Sequence, residues 1–178
     1  TSLVAYSIIF RSLFANNGLV NYVLVNIGIL DKPYNFLTQP FAAKMVIILA
    51  LLWRWTGYNM VFFLSGLQNI EYSVYEAAKI DGASAIQTFF KITVPLLKPT
   101  ILLTAIMSTN GTLQLFDESV NLTDGGPANA SISMSHYIYN LCFKYVPNFG
   151  YAAAMSFFIL LLVAVLAFIQ MRVGDKRD

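Results

Sequence analysis

Residues 76–95 read EAAKIDGASAIQTFFKITVP. The stretch carries Glu76, Lys79, Asp81 and Lys91, a glycine at 82 and a proline at 95. It lies between two long apolar segments of the chain. Ile70, Val74, Ala77, Ala78 and Asp81 recur at helical spacing, four of the five apolar, so one side of a helix can pack against protein. Tyr72, Glu76 and Lys79 lie on another side. Asp81-Gly82 is a turn signal, and glycine after a helix commonly takes the left-handed conformation. Ser84 can cap a second helix whose Ile86, Phe89 and Phe90 pack inward, and Pro95 stops that helix or bends it into the next segment. The expectation over 66–95 is helix, glycine turn, helix, proline. The spacing leaves two readings. In one the hairpin is a dock for another protein. In the other Glu76 and Lys79 merely pair, worth about 0.2–0.5 kcal/mol, and Gly82 only ends a helix.

The composition says where such a hairpin sits. The chain has 178 residues, 57% hydrophobic and 11% charged, against roughly 25% charged in soluble domains. A net charge of +2 and the lack of a long basic run argue against a nucleic-acid partner. The single cysteine, Cys142, cannot form an internal disulfide, and the single histidine, His136, expected in a loop, gives no metal-ligand cluster.

A membrane span needs roughly 20 mostly apolar residues. Tyr151 to Gln170 satisfies this, as does Met45 to Leu64 with Arg54 and Asn59 inside it. A third span is expected from about Pro95 through LLKPTILLTAIMSTNGTLQLF. The opening TSLVAYSIIFRSLF reads as the end of a fourth. It lacks the flanks of a signal peptide, and the chain is expected to begin inside that span, with earlier spans before it. Arg172, Lys176 and Arg177 follow the last span, and positive flanks stay cytoplasmic. The carboxyl terminus and residues 66–95 are then inside, and 15–44 and 117–150 outside. In the outer 15–44 connection an asparagine–glycine turn precedes a surface helix (Leu19, Val20, Val23, Leu24, Ile27) that Asp31-Lys32-Pro33 ends. TDGGPA at 123–128 is a further turn.

The spans carry polar residues that lipid should not face. A charge at mid-span costs roughly 2.5–3.5 kcal/mol on insertion scales, so Arg54 is expected to point inward, with Tyr58 on the same face and Asn59 one position off. Thr100, Thr104, Ser108 and Thr112 recur every four residues, a step that drifts by about 40° around a helix. Asn110, Gln114 and Asp117 make a neighbouring stripe with Glu118 beside it. These groups can hydrogen-bond solute hydroxyls, or they can bond their own backbone and glue spans together. Arg54 needs a partner, and Asp117 and Glu118 are the nearest by depth. The two acids either pair with it or form a solvated rim.

The pattern Glu76-Ala77-Ala78, three residues, Gly82, nine residues, then Ile92-x-Val94-Pro95 resembles the EAA motif of binding-protein-dependent ABC transporter permeases. GLQNIEYSVYEAAKIDGASAIQTFFKITVPLLKP at 66–99, FDESVNLTDGGPANA at 116–130 and LFANNGLVN at 13–21 resemble the sugar-uptake branch, in subunits similar to the larger permease component of maltose-type importers. Val94 stands where the family usually has leucine, and Glu71 where it usually has proline. The resemblance covers nearly the whole chain. It implies an all-α polytopic transmembrane bundle, a single permease domain over 1–178, with 66–95 as the coupling loop that enters a cleft on an ATPase. It implies docking through Glu76, Ala77, Ala78, Asp81, Gly82 and Pro95. It places Arg54, Tyr58, Ser108, Thr112 and Leu115 where such subunits touch sugar, beside the Asn59, Gln114, Asp117 and Glu118 of the polar stripes.

The function so implied is that of a permease subunit of an ATP-driven sugar or oligosaccharide importer in a bacterial inner membrane. The resemblance implies a homologous second permease, two cytoplasmic ABC ATPase subunits and an extracytoplasmic solute-binding protein as partners. No cofactor is expected and no catalysis. The chain has no G-x-x-x-x-G-K-[ST] loop for ATP, and no G-x-S-x-G or H-E-x-x-H for an intramembrane hydrolase. A permease for another solute, such as a phosphorylated polyol or an amino acid, remains open because Arg54 admits an anion. A non-transporting membrane scaffold is the third reading.

Overall fold

The computed structural model describes residues 2–174, all of whose regular elements are helical. α1 (Leu3–Leu13) is followed by α2 (Leu19–Asn26), α3 (Pro40–Gln68), α4 (Tyr72–Ile80), α5 (Ala85–Thr88), a π-helical turn over Phe89–Thr93, α6 (Val94–Leu96) and α7 (Lys98–Leu113). α8 (Asp117–Thr123), α9 (Met134–Tyr139), a second π-helical turn over Asn140–Lys144 and α10 (Phe149–Gly174) complete the order. α3 and α10 are each long and apolar enough to cross a membrane. Lys176 and Arg177, two of the three cations on which the expected orientation of the last span rests, lie outside the described residues.

The chain forms two compact units. The first comprises the residues up to Arg54 together with Thr112–Leu161, the second Trp55–Gly111 together with the residues from Leu162 on.

In the first unit α1 packs on α8, and α3 presents Ala42, Ala43, Val46, Ile47 and Ala50 as its buried face. That spacing is one helical stripe. Tyr6, Ile47, Ala50 and Leu122 form the core, with Phe10, Leu51 and Leu115 against it. The LFANNGLVN segment has a steric reason for its glycine. A Cβ on Gly18 would stand 2.4 Å from the carbonyl oxygens of Leu13 and Ser12, and backbone cannot step aside as a side chain can. α2 starts just after that glycine, as the turn signal indicates, but stops at Asn26 ahead of the expected Asp31-Lys32-Pro33, because Gly28 at φ +75° turns the chain out of the helix. Asn21 is buried and staples the return loop: its amide donates to the carbonyls of Ala15 and Tyr34, and its Oδ1 accepts from the Tyr34 N–H. The 123–128 turn holds Asp124 and Gly125 at positive φ and a cis Gly126–Pro127 bond.

In the second unit the expected helix, glycine turn and capped second helix are present. α4 ends in a Schellman motif: the Ala83 N–H reaches the Ala78 carbonyl and the Gly82 N–H reaches that of Lys79, with Gly82 at φ +73°. Ser84 and Gln87 form a reciprocal capping box at α5. Three expectations are corrected. The second helix is a single turn before the backbone opens into π spacing at Phe89–Thr93, where Val94 donates to the Phe89 carbonyl. Pro95 supplies no N–H to the Lys91 carbonyl, so the α ladder cannot continue there. Ile86, Phe89 and Phe90 do not pack inward; all three are exposed, because α5 is too short to lay them against α4. The third span is not one straight helix from Pro95. α5 to α6 and α7 meet at Leu97 with a bend of 65°, and α7 stops at Leu113, so the stripe through Gln114 and Asp117 does not continue on one helix.

Candidate functional site

The hairpin of the second unit exposes Glu76, Ala77, Asp81 and Gly82, while Ala78 is buried and Pro95 is exposed. Among the described residues Glu76 and Lys79 form no ion pair with each other. Tyr75 on α4 and Thr93 in the π turn are 3.3 Å apart, hydroxyl to hydroxyl, and tie the two arms together. Nothing would meet a Cβ on Gly82 within 4 Å, so it is the backbone conformation, not crowding, that calls for glycine there. The outer surface of the hairpin therefore combines small residues with the charges of Glu76, Lys79 and Asp81, flanked by uncovered Ile80 and Ile86.

The expected pathway residues fall in both units. In the second, Asn59 Nδ2 donates to Ser108 Oγ at 3.2 Å, joining α3 to α7, and Tyr58 stacks edge-on against Trp55 and packs on Phe62. Thr104 is buried and bonds the carbonyls of Thr100 and Ile101, which is the backbone-bonding alternative rather than a lining role. Gln170 of α10 donates to Thr109 at 2.8 Å. In the first unit, Thr112 and Gln114 are exposed at and just beyond the end of α7, and Leu115 sits against the apolar core. Asp117 and Glu118 open α8, where the helix dipole favours a carboxylate.

Of the two candidate acids Glu118 pairs with Arg54: Nη1 donates to Oε1 in an ion pair. The Glu118 side chain is 1% exposed and that of Arg54 28%, so Glu118 is no solvated rim. The buried hydroxyl of Tyr6 donates to the same Oε1. Sequence reasoning missed Tyr6. Its partner is 112 residues away, and no local spacing announces such a pairing.

A second polar cluster lies in residues 119–144 of the first unit. His136 is on α9 and buried, not in a loop as expected. Ser119 Oγ donates to the Ser131 carbonyl and accepts from the Ser133 N–H. With its one proton so used, it accepts from His136 Nδ1 at 2.8 Å. Nε2 then faces Asp124 Oδ1 at 3.8 Å, and Lys144 donates to that oxygen at 2.9 Å. Burial pushes the imidazole below its usual range, against the pull of Asp124. The hydrogen bond from Lys144 holds Asp124 below the usual carboxylate range. No cluster of three or more metal-ligating side chains occurs among the described residues.

The family described as "Binding-protein-dependent transport system inner membrane component" matches residues 2–177. The chain is 55% identical over 179 residues to the lactose transport system permease protein LacF of Rhizobium radiobacter, covering 99% of this chain and 60% of that protein. It is 36% identical over 160 residues to the trehalose/maltose transport system permease protein MalF of Thermococcus litoralis, covering 90% and 53%. A solved bacterial ABC transporter "involved in the import of the acidic polysaccharide alginate" contains a chain of similar fold, with a TM-score of 0.84 and 25% identity, over 97% of this chain and 60% of that one. The chain thus spans somewhat more than half the length of these relatives.

Proposed function

Since the chain belongs to the binding-protein-dependent transport system inner membrane component family, we propose that it is a permease subunit of an ATP-driven importer of sugar or oligosaccharide. It forms half of a translocation pathway, and a homologous permease forms the other half. Two cytoplasmic ATPase subunits grip residues 66–95, and an extracytoplasmic binding protein delivers solute to the opposite face. The carboxyl terminus is cytoplasmic, with Arg172 in the last turn of α10 following the positive-inside rule. The subunit moves solute and does no bond chemistry. The chain acts as one permease domain, and closure of the ATPases moves the hairpin as a rigid body.

One observation carries the reading: a capped helix–glycine–helix hairpin that leaves Glu76, Ala77, Ile80 and Ile86 uncovered. Small residues let a helix sit close in a cleft, and Glu76 offers one polar contact. Gly82 makes the turn at the bottom, beside Asp81, and Pro95 ends the segment. Ala78 packs against its own chain and keeps α4 in place. The sugar branch is supported by the lactose and trehalose/maltose relatives. In the first unit the solute is met by Arg54, backed by Glu118, and by Asp117, Thr112, Gln114 and Leu115; in the second unit it is met by Tyr58, Asn59 and Ser108.

The test is uptake of a labelled neutral oligosaccharide by the full-length subunit, reconstituted in liposomes with its permease partner, ATPases and binding protein. Uptake should require ATP and the binding protein, and Glu76→Lys should release the ATPases on purification. Uptake without the binding protein, or full ATPase retention by Glu76→Lys, would overturn the assignment.

A further inference from the structure

Resting on the sugar-permease reading, we propose that Glu118 determines specificity: it compensates Arg54 from behind, so that the pathway presents a hydrogen-bond fork to neutral hydroxylated solutes instead of a net positive charge to anionic ones. The two members of the pair differ in what can reach them. The carboxylate is 1% exposed, and the guanidinium is 28% exposed. A solute arriving from outside the core therefore meets the arginine and not the acid. Guanidinium presents five N–H donors in a planar fork and cannot be deprotonated in a protein. Alone it would favour a carboxylate or phosphate, which takes two parallel bonds from the fork. With the Glu118 carboxylate paired to Nη1 the positive charge is offset, and the exposed side of the guanidinium suits hydroxyl oxygens.

The carboxylate is also fixed in place. Tyr6 donates its hydroxyl to the Oε1 that Arg54 uses. The ring of Tyr6 is held edge-on by Phe10 and stacked on Trp53, the residue before Arg54. Tyr6 and Glu118 come from α1 and α8, which pack directly on each other. Glu118 cannot swing toward the solute without opening that contact. Tyr6 is accordingly a positioning residue, and Glu118 the residue that sets the charge.

Direct binding to the assembled permease–ATPase complex tests this without the binding protein, which filters solutes first. The probes are a neutral disaccharide and the same disaccharide with one sugar oxidised to a uronic acid, measured by equilibrium dialysis at pH 8. The native complex should bind the neutral sugar at least as well as the acid. Glu118→Gln, nearly isosteric and still able to accept from Arg54, should improve binding of the acid relative to the neutral sugar on the order of tenfold or more, since it removes one negative charge beside the exposed guanidinium. Arg54→Gln should move the ratio the other way, which covers the case in which Glu118→Gln does not assemble. Variants that weaken both sugars equally, or move the ratio in one direction, would overturn the role of Glu118 and leave the permease reading standing. Failure of the native complex to bind either sugar would count against the permease reading itself.

Discussion

A second proton on His136 has no cheap place in the fold. Nδ1 already gives its hydrogen to Ser119, and Nε2 lies in a buried site whose nearest acceptor, Asp124, is exposed and engaged by Lys144. Because the folded pKa lies below the unfolded one, the unfolded state takes the proton first. The contribution of neutral His136 is complete above the ordinary histidine range near 6.5 and is lost as pH falls through and below it. Asp124 acts in the same direction at lower pH, since its folded pKa is also depressed. We expect amide exchange over 119–144, corrected for its intrinsic pH dependence, to quicken as pH is lowered from 7.5 to 5.5. His136→Gln should remove most of that dependence, and a corrected exchange rate indifferent to pH would contradict the buried neutral imidazole. At Glu118 the asymmetry of exposure gives a second expectation. Arg54→Met strands a buried carboxylate and should cost roughly 3–5 kcal/mol, whereas Glu118→Gln, whose partner is partly solvated, should cost less. Thermal melting of the two variants in one detergent orders them. Much of this site is legible in the sequence. The insertion cost of a charge places Arg54 inward and narrows its partner to two acids. Tyr6 is not legible, because a tyrosine in an apolar run has the same local pattern whether it faces lipid or an acid in a distant helix, and Ser119 is not, because its partners Ser131, Ser133 and His136 lie 12 to 17 residues on.

Helices and turns are legible where the rule is local. Gly82 and Ser84 fall within one or two turns of what they cap, and the turn and the cap both appear at the expected residues, with Gln87 completing a box outside the expectation. The third span is different. Counting apolar content through Pro95 and Pro99 treats the axis as straight, and two prolines so close together, with the π turn before them, change its direction. Inward packing of Ile86, Phe89 and Phe90 fails for a related reason: spacing assigns a face, but a one-turn helix has none to offer. Between α3 and α7 the second unit makes a close approach that the sequence alone conceals. A Cβ on Gly111 would come within 2.3 Å of Trp55 Cζ2. Trp55 would have to leave its place beside Tyr58, so Gly111→Ala should cost about 1–3 kcal/mol, with Trp55 fluorescence changing in step. At Gly82, where the space is open, Gly82→Ala should cost only the left-handed backbone penalty, about 1–2 kcal/mol. A larger melting loss for Gly82→Ala than for Gly111→Ala would invert this reading of the two elements.

At the scale of the molecule, two groups of uncovered apolar residues need different solvents. Phe157, Phe158, Leu160 and Leu161 lie on α10, where no charged residue stands nearby and the one polar neighbour, Ser156, bonds the Ala152 carbonyl of its own helix, and lipid is enough for them. Ile80, at 85% exposure, and Ile86, at 72%, stand among exposed Glu76, Lys79, Asp81 and Lys91. Charges so close together exclude the hydrocarbon layer as their cover, and water leaves the isoleucines at a cost. A protein cleft with apolar walls and a polar rim meets both demands. Full burial of an isoleucine is worth about 1.5–3 kcal/mol, which is roughly one to two decades in affinity. Ile86→Asp should therefore weaken ATPase binding by about 10- to 100-fold while leaving the melting of the purified subunit unchanged, because the side chain touches little of its own chain. Exchange of the amides over 72–92 should slow when the ATPases are added to the native subunit and not to the variant. Equal exchange with and without the ATPases would mean that some other surface carries the coupling, whatever solute is moved.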